Sequence, residues 1–103
     1  MSQDYPAQYM KIKERFKDYH EAVARLGETV RKGPLDEKTI QLVQLAAAAA
    51  IRSEGAVHSH ARRALKAGAT EDEIYHAILA LTSTIGFPTV SAALSWADDV
   101  LKK

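Results

Sequence analysis

Glu37-Lys38-Thr39-Ile40-Gln41-Leu42-Val43-Gln44-Leu45-Ala46-Ala47-Ala48-Ala49-Ala50-Ile51-Arg52 has helical rather than alternating spacing, and after Ile40 it is apolar on most of its circumference. A helix that is apolar all round must be covered all round, so this segment is expected at the centre of a helical domain. Its run of alanines lets neighbouring backbones approach closely. Asp36 is placed to cap its N-terminus, and Glu37 lies where the helix dipole favours an acid.

Working outward, every other periodic segment is also helical. Upstream, Ile12, Phe16, Tyr19, Val23, Leu26 and Val30 recur at alternating steps of four and three, a narrow apolar seam from about Pro6 to Arg31. Gly27 sits inside it, and a break between Tyr19 and Glu28 is expected if the segment is two helices rather than one. Gly33-Pro34-Leu35 ends the segment, because proline lacks an amide donor. Downstream, Glu54-Gly55 is read as the interruption before a third helix, about Ala56 to Ala67, with Gly68 closing it. Thr70-Glu71-Asp72-Glu73 is a capping-box pattern that opens a fourth helix carrying Ile74, Ala77, Ile78, Leu81 and Ile85 on one face. Gly86-Phe87-Pro88 breaks that helix, and Pro88 is suited to the first position of a last one, with Val90, Ala93, Leu94, Ala97 and Leu101. The expected fold is all-α, five or six helices in a single domain over residues 1–103, with residues 1–34 as a helical arm.

At 103 residues the chain has room for one core only. A domain this small covers an all-round apolar helix with difficulty, so a symmetric homo-oligomer is expected. The net charge of +1, with basic and acidic residues mixed along the chain, gives no electrostatic footprint for nucleic acid. The start, Met1-Ser2-Gln3-Asp4, lacks a signal-peptide pattern, and the longest apolar run, Leu45 to Ile51, is too short to span a bilayer. A cytoplasmic protein without membrane partners is the expectation. The chain contains no cysteine. That excludes disulfides, thiolate metal sites and thiol peroxidase chemistry together.

The polar residues that bear on chemistry lie between Arg52 and Arg63. His58 and His60, two apart on a helix, point about 200° apart and are poor partners for one metal ion. Glu54 and His58, four apart, face each other as an ion pair or an orienting pair. His60 shares a face with Ala56, Val57 and Ala64. It is either a satisfied core histidine or a general acid or base. His76 either lines the same cavity or meets a neighbouring subunit, and His20 is given no role. Ser53 and Ser59 have no strand-turn-helix elbow around them and read as helix-end residues. Thr82-Ser83-Thr84 is either a polar cavity wall or a set of hydroxyls bonded back to helix carbonyls. Trp96 reads as a core or interface anchor. No phosphate loop or metal-binding histidine pair is present, and no metal or cofactor is expected.

Leu35-Asp36-Glu37-Lys38-Thr39, the alanine-rich helix, His60-Ala61-Arg62-Arg63-Ala64-Leu65-Lys66-Ala67-Gly68-Ala69-Thr70, Glu73-Ile74 and Ile85-Gly86-Phe87-Pro88 together resemble the carboxymuconolactone decarboxylase and alkylhydroperoxidase family over Leu35 to Leu101. The resemblance implies an all-helical homo-oligomer, commonly a trimer or hexamer. It also implies a peroxidase branch with a Cys-x-x-Cys pair, a histidine four residues on and an upstream glutamate. Those positions fall on Ser53, Ala56, His60 and Gln41, so only the histidine is kept. The decarboxylase branch needs no cysteine and also has a histidine at His60. By this resemblance the chain is a lyase-like protein acting on a small carboxylate or lactone. His60, with His58 and Glu54, supplies the catalytic groups, and Arg62 and His76 hold the substrate. The alternative is a catalytically silent oligomeric ligand-binding or scaffold protein of the same fold.

Overall fold

A computed structural model describes residues 7–102 of the chain, which divide into two compact units, one ending at Leu35 and one beginning at Asp36. The described residues are all-α, six helices and one four-residue turn of helix, with no strand among them. None of these helices is long and apolar enough to cross a membrane.

The first unit holds α1 (Ala7–Arg15) and α2 (Lys17–Val30). The break therefore falls at Phe16, not between Tyr19 and Glu28, and Gly27 lies within α2. Phe16 leaves helical dihedrals (φ −131°, ψ 67°) without losing its bonds. Its amide still donates to the Ile12 carbonyl at 2.8 Å, and its carbonyl accepts from the His20 amide at 2.8 Å. The bend brings Tyr9 of α1 to His20 of α2, hydroxyl to Nε2 at 2.8 Å with the rings edge to face. In one straight helix those residues would stand about 16 Å apart along the axis. His20, given no role by the seam, thus pins the bend. The seam itself stays uncovered: Phe16, Tyr19, Val23, Leu26 and Val30 are all exposed.

The second unit holds α3 (Glu37–Ala50), α4 (Glu54–Lys66), α5 (Glu71–Leu79), the turn α6 (Thr82–Ile85) and α7 (Phe87–Leu101). Its core is built largely from alanine. Ala48, Ala49, Ala61, Ala64, Ala69, Ala93 and Ala97 are buried with Leu45, Val57, Ile74, Ile78 and Val90, and Trp96 packs against them half-buried. α4 packs between α3 and α7, which fixes what each of its flanks meets.

Local chemistry sets the helix ends. The Asp36 carboxylate accepts from the Thr39 amide at 2.8 Å and caps α3. Thr70 and Glu73 form the expected reciprocal capping box of α5. α3 ends in a Schellman motif, with the Ser53 amide bonded to the Ala48 carbonyl and Arg52 to Ala49. The left-handed position of that motif is taken by Arg52 (φ 58°), not by a glycine. Its guanidinium bonds the Thr89 hydroxyl at 3.1 Å, which offsets part of the strain. The α3–α4 reversal thus precedes Glu54-Gly55, and Gly55 lies in the first turn of α4. Gly68 (φ 99°) occupies the equivalent position after α4.

The expected fourth helix is two pieces. After Leu79 the chain tightens into three-residue hydrogen bonds, Leu81 to Ile78 and Thr84 to Leu81. The Thr82 hydroxyl donates to the Leu79 carbonyl at 2.8 Å, taking an acceptor that a continuing helix would use. Gly86 (φ 89°) then starts α7, where Pro88 is the second residue and Phe87 the first.

The Thr39 hydroxyl and amide hold the Asp36 carboxyl below its ordinary value, and the Thr70 amide and the Lys38 ammonium do the same for Glu73. The Tyr75 hydroxyl, donating to Asp98 at 2.6 Å, is pushed up to about 12. The two carboxylates stabilise the fold fully above their unfolded values, and that contribution is lost as pH falls through their lowered folded values. Tyr75 stabilises it below its unfolded value, and that contribution is lost as pH rises from 10.0 toward about 12. Urea midpoints are therefore expected to be flat between about pH 5 and 9 and to fall on both sides. Thr70→Ala should cost about 1 kcal/mol in the same measurement.

Candidate functional site

Gln41 is the buried polar residue of the described core, 1% exposed on the inner face of α3. Its side-chain amide makes two bonds. Nε2 donates to the Glu37 carboxylate one turn earlier at 3.0 Å, and Oε1 lies 2.8 Å from Nδ1 of His60 on α4. The three groups determine one another's hydrogens. A carboxylate accepts only, so the NH2 end of the amide must face Glu37 and the carbonyl end must face His60. A carbonyl oxygen also accepts only, so His60 Nδ1 must carry hydrogen. Glu37, an exposed residue at the start of α3, thereby fixes the tautomer of a half-buried imidazole 23 positions on. In the neutral ring Nε2 is then the nitrogen without hydrogen.

His60 therefore meets polar surroundings, whereas its apolar helical neighbours point to a core face. Sequence spacing shows the residues on its own helix and nothing of what α3 brings opposite. Gln41 was placed by the resemblance alone, as the residue standing at a glutamate position. Its bond to His60 is supplied by the packing. Gln44, three residues later on α3, is half-buried, and its Oε1 is buried with no donor among the described residues.

His58 lies on the other flank of α4. Its Nε2 is 2.9 Å from Asp99 Oδ2 on α7 and 3.9 Å from Glu54 Oε2 on its own helix. The expected Glu54–His58 pairing is present, and Asp99, which no local pattern indicates, joins it. Arg62 is half-buried one turn after His58 and shares that flank by the helical period. His76 is exposed in the last turn of α5. The expected site residues thus divide. His60 stands with Gln41 and Glu37, and His58 stands with Glu54 and Asp99.

The profile of the carboxymuconolactone decarboxylase family matches residues 17–99, from the first residue of α2 nearly to the end of α7. The chain belongs to this family. An uncharacterized protein of Methanocaldococcus jannaschii is 33% identical over 105 residues, an alignment covering 96% of this chain and 98% of that protein. Family membership embraces α2 as well as the Leu35–Leu101 stretch that carries the resemblance. Within the family this member has no cysteine, with Ser53 at the N-cap of α4 and Ala56 in its first turn, before His60.

Two substitutions separate the roles of the amides. Gln41→Met should destabilise by about 1–3 kcal/mol, because it strands the His60 Nδ1 hydrogen. Gln44→Met should be neutral or stabilising by chemical denaturation, since it removes an unpartnered carbonyl. Imidazole 15N shifts of His60 should report hydrogen on Nδ1 in the neutral ring. A mixture of tautomers in wild type would contradict the assignment of Glu37 as the determining group.

Proposed function

We propose that this member of the carboxymuconolactone decarboxylase family is a lyase acting on a small carboxylic acid or lactone acid, with His60 as the proton-transferring residue. The observation that carries this reading is the Glu37–Gln41–His60 chain, which commits a half-buried imidazole to the tautomer with hydrogen on Nδ1. A histidine serving only as core filler needs no such chain from a surface carboxylate. In the decarboxylation step the bond between the substrate carbon and its carboxylate breaks and carbon dioxide leaves. The electron pair left on carbon takes the proton from His60 Nε2, and solvent returns that proton to the ring. Glu37 and Gln41 act as positioning residues. His58, Glu54 and Arg62, on the opposite flank, take no part in this step.

The reading is tested by assaying carbon dioxide release from a panel of small lactone and dicarboxylic acids. His60→Gln should lower turnover by about 10²-fold or more while leaving helicity intact. Gln41→Leu should lower turnover less and change its pH profile, as a positioning residue does. Saturable binding of the same acids without product would favour the second reading, a silent ligand-binding or scaffold protein. That alternative draws on Ser53 and Ala56, which stand where the redox branch of the resemblance has its thiols.

We infer also that the chain assembles with copies of itself, as a trimer or hexamer. Val43, Ala47, Ala50 and Ile51 form an exposed apolar stripe along the outer face of α3, with Ile51 75% exposed. The seam of α2 is a second exposed apolar stripe, and exposed apolar stripes of this kind mark protein–protein contact surfaces. Light scattering at micromolar concentration should give a multiple of the chain mass, and Val43→Glu combined with Ile51→Glu should reduce it. A monomer mass for wild type would overturn this.

A further inference from the structure

We propose that Glu54, His58 and Asp99 form a binding site for one divalent transition cation of the zinc class, clipping α4 to α7. The three ligand atoms, one imidazole nitrogen and two carboxylate oxygens, all lie within 4.8 Å of one another. Both carboxylates converge on the same nitrogen, His58 Nε2, at 2.9 Å and 3.9 Å. Ligands about 2.1 Å from a shared ion stand about 3.0–3.4 Å apart in octahedral or tetrahedral geometry. The two distances to His58 bracket that spacing and the third is no longer than 4.8 Å, so rotations of the exposed carboxylates that draw them together are needed to admit an ion.

The frame that holds the ligands is fixed independently of them. Glu54 and His58 sit one turn apart on α4, and Asp99 comes from α7, which packs against α4 through the buried alanines of the core. His58 is the more shielded ligand, with its side chain 23% exposed, whereas those of Glu54 and Asp99 are 58% and 56% exposed. Two carboxylates balance the charge of a dication. The remaining coordination positions face solvent, as expected of a site that accepts water or an anionic ligand.

The donor set selects the class of ion. Calcium takes six to eight oxygens and magnesium keeps most of its water, so neither favours an imidazole beside two carboxylates. Zinc, cobalt, nickel and ferrous iron do. In the empty cluster His58 Nε2 donates its hydrogen to the Asp99 carboxylate; on binding the ion displaces that hydrogen, and the neutral ring coordinates through Nε2 with its hydrogen on Nδ1. No sequence pattern joins these ligands, because Asp99 lies 41 positions from His58 and only the packing of α7 on α4 unites them.

The test uses the full chain, untagged and stripped of metal, titrated with zinc by calorimetry and with cobalt by visible absorption. One ion per chain at micromolar affinity is expected, with cobalt d–d bands characteristic of nitrogen and oxygen ligands. Asp99→Asn and Glu54→Gln should each weaken binding by about tenfold or more. His60→Gln and His76→Gln should leave it unchanged. Both acid substitutions are near-isosteric, and circular dichroism identifies any variant that fails to fold. Absence of binding by the wild-type chain would show that the cluster is an ion pair only. Binding that survives Asp99→Asn, or that is lost in His60→Gln, would place the ion elsewhere. Either result overturns the proposal.

Discussion

The separation between α3, α4 and α7 is set by alanine, and the polar pairs of the second unit depend on that separation. Where Ala48 and Ala49 of α3, Ala61 and Ala64 of α4, and Ala93 and Ala97 of α7 are buried, the helices approach without large side chains between them. Short polar side chains then span the gap. A glutamine amide reaches an imidazole at 2.8 Å on one flank of α4, and an aspartate reaches another imidazole at 2.9 Å on the other. Leucines at the alanine positions would push the backbones apart by more than those side chains can bridge.

The near-opposition of His58 and His60 on one helix gives the unit two separate polar constellations. On the α3 side the imidazole is half-buried and belongs to a chain of three groups whose hydrogens are mutually determined. On the α7 side it is bracketed by exposed carboxylates. The first suits controlled proton transfer, and the second suits electrostatic attraction of a cation. The same helix thus supports different chemistry on its two flanks, because burial differs and because the facing helix supplies an amide in one case and a carboxylate in the other.

Without cysteine, a thiolate and a disulfide are not available to this chain. Gln41 stands where the resemblance places a glutamate, and the charge is found one helical turn earlier, at Glu37. An amide between a carboxylate and an imidazole transmits orientation rather than charge. It removes a negative charge from direct contact with the ring while keeping the ring's tautomer defined.

The sequence by itself determined the helical class, the Asp36 cap and Thr70–Glu73 capping box, the terminating glycines Gly68 and Gly86, and the divergence of His58 from His60. All of these follow from backbone sterics and helical period, which act within a few residues. The bend at Phe16, the left-handed Arg52 and the tightening after Leu79 were not legible. In each case a local pattern was compatible with a longer or differently broken helix, and specific contacts decided: Tyr9 with His20, Arg52 with Thr89, Thr82 with the Leu79 carbonyl. Only tertiary structure decided which group faces each histidine. Gln41 and His60 are 19 positions apart, and His58 and Asp99 are 41 apart. No periodicity carries information over that distance; helix packing does.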